Sequence, residues 1–227
     1  MRQHLRLMVL GLGVAVAAPI AAAPAAAQVR GIPVYNNGVP RGIGIYGDVG
    51  LPNEEAGGGT AYALTGKAGF GVLGVTAMLS TYNPDGPAGS DVSVGATANY
   101  RVFGGPLVPF AVSLQGGVGY AKPESGLLPD DEITQWRFPV GVGLALTIPN
   151  PALAIQPWLA PRLDIVRTSA DGVDAETNTE FALSGGVELN LLNGLGVHAA
   201  YDAVFADGGT PGVFGIGAHY NFRVPGL

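Results

Sequence analysis

Two histidines and a glutamate are the best candidates for metal chemistry in this sequence. The chain of 227 residues has no cysteine and three histidines, of which His198 and His219 lie toward its C-terminus. Counting along the predicted strands brings these two imidazoles close together and brings the Glu188 carboxylate near them. Two imidazoles and a carboxylate can bind a metal ion. A hydrogen-bonded cluster in the protein interior is the alternative that we favour, so the sequence predicts no cofactor.

A second group of charged residues shares one face of the predicted strands: Arg137, Arg162, Asp164 and Asp202. Counting across the turn at 149–152 places Arg137 beside Asp164, which predicts a cross-strand ion pair inside the protein. We favour a structural network that fills the interior, and the alternative is a charged constriction that filters ions. No serine or second acid completes a catalytic set with the histidines, so we expect no catalytic site.

Alternating β-strands must position these side chains. In the stretch GVFGIGAHYNF, residues 212–222, apolar or aromatic residues occupy every second position, and small or polar residues lie between them. A period of two is typical of a strand with one apolar face. The same pattern predicts ten strands, at approximately 42–51, 59–69, 71–82, 91–103, 107–121, 133–148, 152–168, 178–192, 195–206 and 212–222.

The connections between these strands alternate in length. Those after strands 2, 4, 6 and 8 are tight, and Asn193-Gly194 in the last of them is a strong hairpin signal. Those after the odd-numbered strands are longer and more polar. Short turns at one end and long loops at the other are typical of membrane barrels. The sequence therefore predicts an all-β fold: a closed antiparallel up-and-down transmembrane β-barrel of ten strands, with eight strands as the alternative.

The composition of the two strand faces decides where the apolar side chains point. The polar face carries mainly Gly, Ala, Ser and Thr, whereas the surface of a soluble protein would carry many Lys and Glu. We therefore expect the apolar face to contact lipid, and a secreted lipocalin-like barrel with an apolar interior is the less favoured fold. Aromatic residues near both ends of the apolar face predict two girdles at the membrane interfaces. They are Tyr62, Tyr120, Trp136, Phe181, Phe205 and Phe214 at the long-loop end, and Phe70, Phe103, Phe110, Tyr220 and Phe222 at the short-turn end.

The N-terminus has the layout of a cleavable signal peptide. Arg2 and Arg6 precede an apolar run, and Ala25-Ala26-Ala27 provides a cleavage site of the A-x-A type. The predicted segments are the signal peptide 1–27, an N-terminal periplasmic segment 28–41, the barrel 42–222 and a short tail 223–227. Removing the signal peptide leaves nine basic against 17 acidic residues, a net charge of −8. This charge argues against nucleic acid as a partner.

The signal peptide, the alternating strands and the closing GIGAHYNF together resemble bacterial outer-membrane β-barrel proteins of the small OmpA-like or OmpW-like kind. The resemblance covers approximately residues 42–222. In that family the last strand ends in an aromatic residue that the barrel-assembly machinery reads, and the matching residues here are Tyr220 and Phe222. The resemblance implies a location in the cell outer membrane of a Gram-negative-type bacterium. It also implies the lipid bilayer, lipopolysaccharide and the barrel-assembly machinery as partners.

Three functions are compatible with such a barrel. The favoured one is a non-enzymatic membrane protein, either structural or a narrow pore for small solutes, because ten strands enclose little more room than the roughly eight whose interior side chains fill. The second is a surface interaction or adhesion protein that uses acidic extracellular loops, and an outer-membrane enzyme is the least favoured. Twelve of the 17 acidic residues lie in the predicted long loops: Glu54, Glu55, Asp85, Asp91, Glu124, Asp130, Asp131, Glu132, Asp171, Asp174, Glu176 and Asp207.

Overall fold

Ten antiparallel strands make up most of the described chain. The computed structural model describes residues 28–86, 89–105, 108–123, 133–170 and 172–222. The strands are β1 (Gly42–Pro52), β2 (Thr60–Phe70), β3 (Leu73–Asn83), β4 (Asp91–Gly105), β5 (Val108–Ala121), β6 (Ile133–Leu146), β7 (Leu153–Ala170), β8 (Val173–Leu191), β9 (Leu195–Phe205) and β10 (Gly212–Phe222). A two-residue extension, Ile148–Pro149, continues β6, and a short 3-10 helix, Glu54–Ala56, follows β1. Within the described ranges, no helix is both long enough and apolar enough to cross a membrane.

Three of the predicted features lie outside the described residues. They are the signal peptide 1–27, the tail 223–227 and five of the predicted loop acids, namely Glu124, Asp130, Asp131, Glu132 and Asp171. These features stay predictions from the sequence.

The strands close into a barrel. Each strand pairs with its neighbours along the chain, and β1 pairs with β10 from Ile43↔Phe222 to Pro52↔Val213. The predicted ten-stranded, closed, antiparallel up-and-down barrel is therefore confirmed for the described residues, and the eight-stranded alternative is wrong. Because closure gives every strand two partners, the backbone N–H and C=O groups are paired without water, as a bilayer requires.

Apolar side chains cover the outside of this barrel, and polar side chains line the inside. The outward residues Leu64 and Ile216 are 59% and 51% exposed, whereas the inward residues Arg162 and Asp164 are 3% and 1% exposed. The prediction that the apolar face points outward is confirmed, and the lipocalin-like alternative is wrong. Ring pairs lie at both ends of the outer face: Tyr120 with Trp136 and Phe181 with Phe205 at the long-loop end, and Phe103 with Phe110 and Tyr220 with Phe222 at the short-turn end.

One predicted long loop is a tight hairpin. The sequence pattern predicts strands at 152–168 and 178–192, but β7 continues to Ala170 and β8 begins at Val173. Gly172 has φ of 78°, a value that two-residue hairpin turns need and that glycine adopts without a steric penalty. The two strands have 18 and 19 residues, whereas about 9–11 residues suffice to cross a bilayer. The β7–β8 hairpin therefore projects beyond the membrane on the long-loop side.

Residues 28–40 lie inside the barrel, and we call them the lumen segment. Val29 and Val34 are each 1% exposed, and Ile32 and Asn36 are fully buried. The sequence predicts a periplasmic segment at residues 28–41, and the structure instead places residues 28–40 of it in the lumen. The physical reason is room: inward-facing Gly, Ala and Ser leave space in a ten-stranded barrel for an extended chain.

Candidate functional site in the barrel lumen

Inward-facing glycines let the lumen segment pack directly on the barrel wall. The Gly31 carbonyl oxygen occupies the place where a Cβ atom would stand on Gly50, and the Pro40 carbonyl oxygen does the same at Gly69. A larger residue at either glycine would overlap with backbone, which cannot rotate away as the tip of a side chain can. Gly69 lies next to the turn that follows β2, so the segment ends at the short-turn end of the lumen.

Polar contacts hold the other end of the lumen segment to β3 and β4. The Arg30 side chain forms an ion pair with Asp91, and the Arg30 backbone N–H donates to the Ser93 hydroxyl oxygen at 3.0 Å. The Ser80 hydroxyl donates to the Arg30 carbonyl oxygen at 3.2 Å. Asp91 was predicted to be one of the loop acids, but its 4% exposure shows that it belongs to the lumen.

Apolar and aromatic contacts hold the middle of the segment. Ile32 belongs to a buried cluster with Tyr82 of β3. The Tyr35 ring contacts Trp158 and His198 edge-on, at centroid distances of 6.3 and 5.0 Å. The segment therefore contacts opposite sides of the wall along the length of the lumen.

The predicted ionic network is centred on Arg162. Its guanidinium donates to both carboxylate oxygens of Asp164, at 3.1 and 2.8 Å, and to both of Asp202, at 2.7 and 2.9 Å. It also donates to the Ser184 hydroxyl oxygen at 2.7 Å, and that hydroxyl donates to Asp202. One cation is thus shared by two carboxylates in a site that water barely reaches, where such contacts are strong.

Arg137 lies beside this network in a different register from the predicted one. It is opposite Val166, while Pro139 is opposite Asp164, so Arg137 is a diagonal neighbour of Asp164. The shift arises at the turn, where the Asn150 N–H donates to the Leu153 carbonyl oxygen, one residue later than the counting across 149–152 assumes. Diagonal neighbours share a face of the sheet, and Arg137 is a buried inward residue with 4% exposure.

The two histidines meet inside the barrel, as their positions in the strands predict. The Nδ1 atoms of His198 and His219 are 3.1 Å apart. Nε2 of His198 is 2.5 Å from Oδ1 of Asp48. Nε2 of His219 is 3.0 Å from Oδ1 of Asn190 and 3.6 Å from Oε1 of Glu188. The result is a chain of polar contacts that runs from one carboxylate, through two imidazoles, to a second carboxylate.

Asn190 fixes the direction of the hydrogen bonds in this chain. Its Nδ2 donates to Glu188 at 2.8 Å, so its Oδ1 accepts from the Nε2–H of His219. One of the two Nδ1 atoms must then donate to the other, and Nε2 of His198 forms a hydrogen bond with Asp48. The cluster therefore gives every ring nitrogen of the two histidines a partner inside the protein.

This arrangement is a hydrogen-bonded cluster and lacks the geometry of a metal site. Each ring nitrogen of His198 and His219 already has a protein partner, and two of these nitrogens face each other. In the part of the chain that the structure describes, no group of three or more His, Cys, Asp or Glu could hold a metal ion. Glu188, the third weak candidate, instead accepts hydrogen bonds from Asn37 and Asn190.

The lumen segment is bonded to this cluster. Asn37 donates to Glu188 through its side chain, and its carbonyl oxygen accepts from Nε2 of Gln156 at 2.9 Å. The contact to Glu188 ties the segment to β8, which carries Glu188 and Asn190 of the cluster. The segment is therefore fixed at its start, middle and end by different strands.

Three further side chains of the lumen were not predicted from the sequence: Tyr46, Asp48 and Lys67. The Lys67 ammonium lies 4.1 Å from the centre of the Tyr46 ring, a favourable cation–π distance. All three residues occupy inward positions of β1 and β2 by the alternation of exposure along those strands. Extending the two-residue period to these strands would have found them.

An apolar belt surrounds a closed barrel with a polar interior, and such a surface is stable only against lipid. The β-domain of the Bordetella autotransporter BrkA has a similar structure, with a TM-score of 0.50 and 16% identity over 79% of this chain and 98% of that domain. The chain has the fold of an outer-membrane β-barrel. Barrels with an apolar exterior of this kind belong to bacterial outer membranes. The protein is therefore located in the cell outer membrane.

Two further solved structures match the outer-membrane barrel with lower scores. The translocator domain of the autotransporter NalP from Neisseria meningitidis has a TM-score of 0.43 and 14% identity, over 81% of this chain and 89% of that one. The N-terminal β-barrel domain of Pseudomonas aeruginosa OprF has a TM-score of 0.38 and 12% identity, over 79% of this chain and 96% of that one. No protein-family model and no curated protein sequence matches the chain. At these identities the similarity is one of fold.

Proposed function

We propose that this outer-membrane barrel is a non-enzymatic structural protein whose lumen is closed by its own lumen segment. The supporting observation is the fit of the segment, whose Gly31 and Pro40 carbonyl oxygens fill the space that Gly50 and Gly69 leave. Backbone packed inside the lumen narrows the path that is left for water and ions. The barrel then serves as a rigid membrane scaffold that holds its external loops.

The chemistry of the lumen also favours a structural role over catalysis or ion selection. The charges of Arg162, Asp164 and Asp202 are bonded to one another, so they need no ion from solution. The Asp48–His198 pair is buried, and the Tyr35 ring packs against His198. A general base in that position is not accessible to a substrate.

The conductance of the purified barrel in planar bilayers tests this proposal against the narrow-pore alternative. We expect the intact protein to give no resolvable current. A variant that lacks residues 28–40 should give discrete channel openings, because its lumen would keep only wall side chains. Adding the free peptide of residues 28–40 should close those channels again.

Steady conductance of the intact protein, at the level of the deletion variant, would contradict the structural role and favour a narrow pore. Heat-modifiable migration on a gel serves as the control, since it reports a folded barrel in both proteins. A deletion variant that folds and stays silent in the bilayer would also contradict the proposal, because another group must then close the lumen.

A second candidate function is surface interaction, and the β7–β8 hairpin favours it. Its strands continue well beyond the length that the membrane requires. Residues Asp174 to Thr179 of this hairpin are all exposed. A scaffold that projects a rigid hairpin and polar loops presents a fixed surface to a partner. Lipopolysaccharide at the outer leaflet is one proposed partner of these acidic loops, through divalent cations.

We also propose that Tyr220 and Phe222 are read by the barrel-assembly machinery. Phe222 ends β10, and it is 42% exposed on the outer face. We expect Phe222→Ala to lower the fraction of the protein in the outer membrane several-fold. Phe214→Ala is the matched control, because Phe214 lies on the same strand with the same exposure but at the long-loop end. Equal losses in the two variants would indicate a loss of stability and contradict a recognition role.

A further inference from the structure

The outer part of β8 has a free edge. Strand β9 pairs with β8 only from Phe181 to Asn190, where Phe181 is opposite Phe205 at the end of β9. The preceding residues of β8, Val173 to Glu180, have no strand partner on that side among the described residues. We call residues 173–180 the edge segment.

The edge segment is nevertheless an ordered strand, because β7 pairs with its other side. The register runs from Ala170↔Val173 through Thr168↔Glu176 to Asp164↔Glu180. Pairing on one side holds the backbone extended. The N–H and C=O groups of the other side then point outward in the repeat that an added strand needs.

Three carboxylates are the only protection that the edge segment has among the described residues. Exposed edges are commonly blocked by charged side chains, especially lysine, by proline, by a bulge or by a covering loop. The sequence VDAETNTE contains neither lysine nor proline. Residues Asp174 to Thr179 are exposed, so nothing among the described residues covers them. The one irregularity in the β7–β8 pairing lies on β7, between Thr168 and Ala170.

The charges of the edge segment select the kind of strand that could be added. Asp174, Glu176 and Glu180 occupy alternate positions and so share one face of β8, with Asn178 between them. The Asn178 side chain donates a hydrogen bond to Glu176. Arg167 of β7 is opposite Thr177 in the strand register, so it belongs to the other face of the hairpin. A second copy of the same edge would bring like charges together, which destabilises cross-strand pairs. A strand with cationic residues at alternate positions would place them against these carboxylates.

We propose that the edge segment binds an extended, basic peptide segment, which adds to the β7–β8 hairpin as a further antiparallel or parallel strand. Main-chain hydrogen bonds to β8 provide the affinity, and the three carboxylates provide the preference for alternating Lys or Arg. The inference goes beyond the proposed structural role, and it does not depend on whether the lumen conducts.

Peptide binding to the intact barrel in lipid nanodiscs tests this inference. The probe is a fluorescent octapeptide with Lys and Thr at alternate positions, and anisotropy reports its binding at low and at moderate salt. We expect saturable binding. Two versions of the peptide, N-methylated on the Lys amides or on the Thr amides, keep every charge, and the one that blocks the edge-facing amides should lose at least about tenfold in affinity.

A pair of charge-reversed variants tests the acidic face. Asp174→Lys with Glu176→Lys should weaken binding by about tenfold or more, because two of the three carboxylates that face the peptide are replaced by cations. Glu54→Lys with Asp207→Lys is the matched control: it changes the net charge equally in other exposed loops, and affinity should stay within about twofold.

Three results would overturn the inference. Equal binding of both N-methylated peptides and the parent peptide would show attraction by charge without strand addition. Equal loss in the two charge-reversed variants would show that the location of the charges does not matter. If the barrel dimerises, and if the Asp174 and Glu176 substitutions change the dimerisation constant, a second copy of the chain occupies the edge. Peptide binding does not depend on whether the barrel conducts ions. The proposal of a closed lumen and the proposal of peptide binding can therefore be contradicted independently.

Discussion

Replacing Gly50 with valine displaces the lumen segment and makes residue 34 reactive toward a water-soluble thiol reagent. The Gly31 carbonyl oxygen fills the place of a Cβ on Gly50, and the Ile32 side chain borders the same space. Inserting methyl groups into such packing costs about 1–3 kcal/mol. Since about 1.4 kcal/mol corresponds to a factor of ten in an equilibrium, we expect labelling to accelerate by about tenfold or more.

The reporter for this experiment is a single cysteine at Val34. The chain has no cysteine of its own, and Val34 is 1% exposed in the lumen segment. Val34→Cys changes the side-chain volume little, so the parent protein should keep the segment in place and label slowly. The Gly50→Val variant in this background should label rapidly while still migrating as a folded barrel.

Gly47→Val is the matched control for the displacement. Gly47 lies three residues away on β1, faces outward and has no atom within 4 Å of a built Cβ. The same substitution there adds the same bulk and the same strand propensity without touching the lumen segment. Equal labelling of the two valine variants, or protection in both, would contradict the packing of the segment on Gly50.

Replacing Arg162 with methionine should destabilise the barrel strongly. Methionine fills the space with a long, unbranched side chain. It removes the five hydrogen bonds that Arg162 donates to Asp164, Asp202 and Ser184. Asp164 and Asp202 would then lose the guanidinium that they share, and removing one partner of a buried ion pair costs about 3–5 kcal/mol. Equilibrium unfolding in urea, with the protein in lipid vesicles, measures the free energy of unfolding.

Two further variants separate this effect from a general loss of arginine. Arg167→Met changes the same strand at an exposed position, and a surface substitution of this kind should change the free energy of unfolding by less than about 0.5 kcal/mol. Combining Arg162→Met with Asp202→Asn leaves one carboxylate, Asp164, beside the cation Arg137, and should recover more than half of the loss. If Arg162→Met unfolds with the parental free energy, the network does not stabilise the barrel.

The lumen network shows which features counting along the strands can predict and which it cannot. The alternation of inward and outward residues is a local property of the backbone, so the sequence pattern is enough to place Arg162, Asp164 and Asp202 on one face. The pairing of particular residues depends on the exact closure of each turn. A one-residue difference at Asn150 therefore moves Arg137 to a diagonal position and leaves Arg162 to bind Asp164.

The His198 and His219 cluster shows the same division. Their proximity follows from hairpin counting between β9 and β10, because those strands are consecutive along the chain. The partner of His198, Asp48, lies on β1, which meets β10 only when the barrel closes. A contact across the closing seam joins residues that are far apart in sequence, so no local count could find it.

The architecture of this protein follows from its residue pattern alone. A period of two along ten segments assigns each side chain to one face, and the composition of the two faces shows that the outward one meets lipid. Both are local consequences of strand geometry and of the low tolerance of a bilayer for exposed charge. The filling of the barrel, in contrast, depends on contacts that exist only in the folded chain. Residues 28–40 carry no strand pattern of their own, and their place in the lumen follows from the space that Gly50, Gly69 and other inward glycines leave when ten strands close around them.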